Sequence, residues 1–359
     1  MDKTTLGMVG LGYWGPNLLR NFTQLDGCRM KTCCDLEEDT LKHLKVQYPD
    51  IETTTNYASL LDDTEIQAVV LAVSAAKHYE LAKLAILHNK HVFVEKPLTL
   101  NVLHAEELVQ LAQQNNVKLM VGHLMEYHPA VEKLKQMIQN HELGDIYYLY
   151  SQRVNLGRIR KDENALWSLA PHDISIIMYL LESEPIDVSV RGQSYLQKGV
   201  EDVVFLNMVF PVSGGTHETP NPYKIMAHVQ LSWLDPHKIR RTTIVGSEKM
   251  AVFDDMDPSE MIRVYDKGVF NVGYGSFGES LSLRFGDVTI PYIKMVEPLR
   301  LECQHFIDCI KNDKQPRSDG MDGLRVVRVL QAAQESLDKG GIPITLTPLD
   351  LKSMEINHE

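Results

Sequence analysis

Gly10-Leu11-Gly12-Tyr13-Trp14-Gly15 follows a short apolar run, Leu6 to Val9, and precedes an amphipathic stretch, Asn17 to Phe22. The pattern G-x-G-x-x-G is common by itself. Between a strand and a helix it narrows the fold to a βαβ dinucleotide-binding unit. The glycines permit a tight turn, close approach of backbone to a pyrophosphate, and close packing of helix on strand. The pyrophosphate then meets the free N–H groups at the positive end of the helix. Pro16 is tolerated there, because the first helical turn has no N–H partner to lose.

A second strand, Arg29 to Cys34, ends at Asp35, 20 residues beyond Gly15. An acidic residue at that place can bind the ribose hydroxyls or cap the next helix. Glu37, Glu38 and Asp39 follow, and no lysine or arginine comes before Lys42. A 2′-phosphate would meet repulsion there, so the sequence predicts NAD rather than NADP.

The alternation of strands and helices continues to about residue 125. Helices are expected at Leu36 to Val46, His78 to Leu87 and Asn101 to Gln114, and strands at Ala68 to Val73, His91 to Val94 and Lys118 to Val121. Continuous apolar strands such as Ala68 to Val73 fit a parallel sheet buried on both faces. The pattern then changes. A helix from Pro129 to Asn140 precedes longer alternating strands at Ile146 to Val154, Val203 to Phe210, Lys224 to Trp233 and Arg240 to Phe253. Val212-Ser213-Gly214-Gly215 reads as a hairpin connection within an extended insertion, Ser213 to Pro222, and helices follow at Leu299 to Lys311 and Gly323 to Leu337. The expected fold is α/β: an N-terminal Rossmann domain, 1–125, then an α+β domain, 126–359, with an open, mostly antiparallel sheet.

Glu95-Lys96-Pro97 follows the apolar strand His91 to Val94, which puts Lys96 at the carboxyl-end crevice where α/β proteins bind ligands. A surface lysine after a strand is its ordinary reading; the glycine turn upstream makes it more. With that turn, Ser74-Ala75-Ala76-Lys77-His78, Glu95-Lys96-Pro97, Ala170-Pro171-His172-Asp173 and the stretch Glu297-Pro298-Leu299 through Gly323-Leu324, nearly the whole chain resembles the Gfo/Idh/MocA oxidoreductases. Within that family it is most similar to the dehydrogenases acting at C3 of UDP-N-acetylglucosamine or its uronic acid. The matching text is Arg153-Val154-Asn155-Leu156-Gly157-Arg158-Ile159-Arg160 through Trp167, and Ser232-Trp233-Leu234-Asp235-Pro236-His237.

The resemblance implies an enzyme that oxidises a secondary hydroxyl with NAD. It implies cofactor contacts from Gly10, Gly12, Tyr13, Trp14, Gly15, Asp35, Ser74, His78, Glu95 and Lys96. It also implies His172 as the base and Lys96 as the group that hydrogen-bonds the reacting hydroxyl. Plain chemistry agrees: hydride loss from a carbinol requires removal of the O–H proton, and a positive charge stabilises the developing oxyanion. His172 is expected in the first turn of an apolar helix, Ile174 to Leu181, whose positive end would favour neutral imidazole. Alone, it would more often be a cap or a satisfied core histidine. Where the family commonly has Asp four residues before this His, the chain has Ser168, which can also be read as an N-cap.

Arg153, Arg158, Arg160 and Lys161 form a basic run in an acidic chain, suited to a substrate diphosphate or else to a loop balanced by Asp162 and Glu163. A dehydrogenase of a free sugar or inositol would not need that run, and an NAD-binding regulator would not need Lys96 and His172. The net charge of −12 predicts no nucleic-acid partner. Five cysteines without a C-x-x-C pair read as reduced thiols rather than a zinc site. No signal-like start and no long apolar stretch are present, so a cytoplasmic protein without membrane association is expected. An open sheet needs its second face covered, and the resemblance implies a homodimer or homotetramer formed through it.

Overall fold

The computed structural model describes residues 3–157, 159–160, 163–211, 224–271, 281–347 and 349. These form two compact units, which pair 3–127 with 296–331 and 128–295 with the residues from 332 onward. A single cut after residue 125 therefore misplaces the segment 296–331, which returns to the first unit.

The first unit alternates β1 (Thr4–Val9), α1 (Gly15–Thr23), β2 (Cys28–Cys34), α2 (Glu38–Gln47), β3 (Glu52–Thr54), α3 (Tyr57–Asp62), β4 (Ala68–Leu71), α4 (Ala75–Leu87), β5 (His91–Glu95), α5 (Val102–Gln114) and β6 (Leu119–Gly122). The strands pair in parallel in the order β3-β2-β1-β4-β5-β6. This is a Rossmann sheet, whose order reverses between β1 and β4 and so leaves a crevice at their carboxyl ends. β4 is buried at every position, as a strand covered on both faces should be.

The second unit contains α6 (Pro129–Gln139), β7 (Ile146–Val154), α7 (Ala165–Leu181), β8 (Asp187–Gln193), β9 (Val203–Phe210), β10 (Ile225–Ser232), β11 (Ile239–Gly246), β12 (Met250–Asp254), β13 (Ile262–Asn271) and β14 (Leu281–Thr289). Later come α8 (Pro298–Lys311), α9 (Gly320–Asp338), within which the two units divide, and β15 (Ile344–Thr345). Nine strands run β14-β13-β12-β11-β7-β10-β9-β8-β15, antiparallel except for β7 and β10. The alternation is visible in β9, where Val204, Leu206, Met208 and Phe210 are buried and Phe205 faces out. The expected strand Arg240 to Phe253 is two strands, β11 and β12, because Ser247–Lys249 turn the chain back on itself.

α8 returns to the first unit for an apolar reason. Phe306 meets Phe22 of α1 and Phe93 of β5 edge-to-face, with ring centroids 6.4 and 5.7 Å away. Cys303 and Ile307 join the same core. The five cysteines are free and buried. The insertion expected at Ser213 to Pro222 lies outside the described residues, and no described helix is long and apolar enough to cross a membrane.

Candidate active site

The glycine turn sits at the carboxyl end of β1. Gly10 adopts φ 91°, a conformation other residues rarely take. Its N–H donates to the Cys34 carbonyl at 2.9 Å, and Ala72 N donates to Val9 O at 2.9 Å, so the turn is tied to both neighbouring strands. A Cβ at Gly15 would stand 2.3 Å from Gly10 O, so α1 can start only with glycine there. At Gly12 an added Cβ would meet nothing within 4 Å: the turn presents bare backbone to open space. That is the cradle a dinucleotide pyrophosphate requires, and the residues fit NAD.

Asp35 follows β2, and its Oδ2 accepts from Leu11 N at 2.7 Å while Oδ1 accepts from Glu37 N at 3.0 Å. The carboxylate thus holds the turn, and its remaining lone pairs can take ribose hydroxyls. NAD should bind at least about tenfold tighter than NADP, roughly 1.4 kcal/mol or more. Calorimetric titration giving equal affinities would contradict this reading of Asp35.

Tyr13 is 86% exposed, whereas Trp14 is half-buried and lies close to the Glu95 carboxylate, whose ionised form it favours. Ser74 is the exposed N-cap of α4, with no capping hydrogen bond of its own. Lys96 is half-buried immediately after β5. His78 is a correction. It is 1% exposed, and its two ring nitrogens lie 2.7 Å from Pro97 O and 3.2 Å from Val73 O. Burial, with nearby Lys96, holds its pKa below the ordinary value, so it braces the Lys96–Pro97 turn as a neutral ring rather than facing a ligand.

The second unit carries His172. α7 begins at Ala165, its N-cap Asn164 accepting from Trp167 N, and Pro171 lies inside it. His172 is therefore in the helix interior rather than its first turn, and a helix-end argument for its neutrality does not apply. Ser168 is not the cap; it lies four residues before His172, on the same helix face. Next to His172, Asp173 is 1% exposed and receives Arg153 Nε at 2.5 Å and the Ser151 hydroxyl at 2.6 Å. The guanidinium expected on a substrate diphosphate is thus buried against a carboxylate, anchoring α7 to β7. Sequence reasoning missed Asp173; a buried Asp beside a candidate base was the signal available.

Arg160 is exposed and pairs with Glu163 at 2.8 Å. Arg158 lies outside the described residues. Asn155 N donates to Ser232 O at 3.1 Å and Gly157 N to Trp233 O at 3.3 Å. The two segments that carry the nucleotide-sugar resemblance therefore lie side by side, at the carboxyl ends of β7 and β10.

Comparison with known proteins agrees with this layout. Residues 4–123 match an oxidoreductase-family description, an NAD-binding Rossmann fold, and residues 131–252 match the GFO/IDH/MocA C-terminal domain. A UDP-N-acetylglucosamine 3-dehydrogenase of Acidithiobacillus ferrooxidans is 24% identical over 266 residues, 73% of this chain and 76% of that protein. A myo-inositol 2-dehydrogenase of Thermotoga maritima is 22% identical over 344 residues, 93% and 96% of the two chains. A solved UDP-N-acetylglucosamine 3-dehydrogenase structure from Acidithiobacillus ferrooxidans shares the fold with a TM-score of 0.76 at 20% identity, covering 95% of this chain and 99% of that one. An Agrobacterium radiobacter oxidoreductase in complex with NAD+, L-tartaric acid and magnesium gives 0.78 at 15% identity, covering 96% and 98%.

Proposed function

The chain belongs to the Gfo/Idh/MocA oxidoreductases, and from that membership we propose that it oxidises a secondary hydroxyl, at C3, of a nucleotide-linked sugar such as UDP-N-acetylglucosamine or its uronic acid. The observation that carries the choice of substrate is the pairing of segments 155–157 and 232–233 at the carboxyl ends of β7 and β10. Arg160 and the segment around it hold the diphosphate. Arg153 sets the position of α7 instead.

NAD supplies the hydride acceptor. Lys96 donates to the reacting hydroxyl and stabilises negative charge as the proton leaves. His172 takes that proton, and Asp173, fixed by Arg153 and Ser151, sets the rotation of α7 that aims it. Lys96→Met should slow turnover, because it removes a charge that stabilises oxygen as its proton departs. Ser168→Asp should move the pH–rate profile upward, because a carboxylate one turn from the imidazole favours its charged form. An unmoved profile would show that the position does not reach His172.

Turnover with NAD decides the substrate class: UDP-N-acetylglucosamine or its uronic acid is expected to give the higher kcat/KM, and faster turnover of myo-inositol would overturn the proposal. Arg160→Ala should raise KM for the UDP-sugar and leave NAD affinity unchanged.

A homo-oligomer covers the open face of the large sheet. Tyr148, Tyr150, Phe205, Met226, Leu283 and Phe285 are all exposed there, apolar side chains of the kind an interface between chains buries. Phe205→Glu with Met226→Glu should yield a smaller species by light scattering. An unchanged mass would remove this face from the assembly.

A further inference from the structure

Four carboxyl groups and one imidazole gather inside the first unit, and only Glu95 among them has a part in the scheme above. Glu95 ends β5, His123 and Glu126 follow β6, Glu302 is in α8, and Asp322 is in the first turn of α9. His123, Glu126 and Glu302 are no more than 1% exposed. His123 Nδ1 donates to Asp322 Oδ2 at 2.6 Å, and Glu126 Oε1 lies 3.4 Å from the same nitrogen. Among the described residues, Glu126 Oε1, His123 Nε2 and both oxygens of Glu302 meet no hydrogen-bond partner. Gly122 lets the group close up toward the cofactor turn, since a Cβ there would stand 3.1 Å from Glu95 Oε1. Trp14 of the glycine turn lies close to Glu95 and favours its ionised form.

Carboxylates buried side by side cannot all stay ionised. Burial, reinforced by the charge of Glu95, drives Glu302 well above the ordinary carboxylate range. Burial and then Asp322 raise Glu126 as well. Burial pushes Glu95 up to about 7 although Lys96 works against it. Burial also opposes charge on His123, but Asp322 and Glu126 outweigh it and lift the imidazole to about 10. Tyr127 and Cys303, both pushed well up by burial, add no charge, and the Arg317 guanidinium donates to the Glu126 carbonyl. The cluster is a place where protons are held.

We propose that this carboxyl cluster releases a proton when oxidised NAD binds and keeps it when the reduced form binds, so that the cofactor site distinguishes the two redox states. The inference rests on the placement of the nicotinamide beside Lys96. The two cofactor forms share every group but one: the oxidised ring carries a positive charge. That charge beside Glu95 favours its ionised form, so NAD+ binding strengthens as pH rises through neutrality. Each proton released makes the affinity change by about tenfold per pH unit. NADH exerts no such pull.

Calorimetric titration of the full chain with NAD+ and with NADH, near pH 7 in buffers of different ionisation enthalpy, counts the protons. The expected result is roughly half to one more proton released for NAD+ than for NADH. Glu95→Gln removes the carboxyl beside the bound ring, so it should abolish that difference. His172→Gln should leave it intact. Equal proton counts in the parent overturn the proposal, as does a difference that survives in Glu95→Gln or vanishes in His172→Gln. The placement of the nicotinamide fails separately, if Lys96→Met turns over like the parent; equal proton counts together with a slow Lys96→Met overturn the proton linkage alone.

Discussion

His172→Ala is expected to lower kcat by roughly 10²–10⁴ while NAD binding stays at the parental level, because general-base assistance contributes on that order. The two halves of this expectation come from different parts of the chain. The cofactor turn, Gly10 to Gly15 with Asp35, lies in the first unit and is held by its own strands. His172 lies in α7 of the second, half-buried, one residue from a fully fixed carboxylate. Removing the imidazole should leave α7 in place, since Asp173 ties it to β7. A parental circular-dichroism spectrum and parental NAD affinity with slow turnover are therefore the expected set. Near-parental turnover would remove His172 from the chemistry.

Asp173→Ala should be the most destabilising single change near the site, about 3–5 kcal/mol, because it leaves a buried guanidinium without its partner. Arg153 and Asp173 have side chains only 8% and 1% exposed, and Ser151 loses its acceptor with the same substitution. Exposed pairs such as Arg160–Glu163 contribute far less, under about 1 kcal/mol. Urea unfolding followed by tryptophan fluorescence reads the change, since two of the three tryptophans, Trp167 and Trp233, are in the second unit. A loss below about 1 kcal/mol, the range of an exposed pair, would show that Arg153 finds another partner or water. The same variant should also lower kcat in whatever fraction stays folded, as α7 loses its fixed rotation.

The first unit was legible because its signals are local. A glycine turn between strand and helix, apolar runs of strand length and an acid after β2 each depend on a few consecutive residues, and every long element from β1 to β6 lies within a few residues of where periodicity puts it. β3 was missed because Glu52–Thr54 is short and unburied at its first two residues. The second unit was harder. Its strands β8, β13 and β14 have no run of apolar residues to mark them, and Ala165–Leu181 is one helix despite Pro171, which local rules read as a start. The return of α8 to the first unit depends on Phe306 meeting Phe22 and Phe93, a contact across more than two hundred residues that no window contains. The site divides the same way. Gly10, Gly12, Gly15 and Asp35 stand at the turn as the pattern implies, whereas Arg153 looks like a ligand residue by type and the resemblance implies the same of His78. Their burial against Asp173 and against two backbone carbonyls gives them structural positions, and burial is a property of the folded chain.

The proposed reaction moves hydride from C3 of a nucleotide-linked sugar to NAD. UDP-N-acetylglucosamine, or its uronic acid, carrying deuterium only at C3 tests it directly. Deuterium is expected on the nicotinamide ring, with the sugar recovered as its 3-keto form and turnover of the labelled substrate no faster than that of the unlabelled one. Deuterium retained in the sugar while NADH forms would place the oxidation at another carbon, and no NADH from either sugar alongside NADH from myo-inositol would contradict the substrate assignment as a whole.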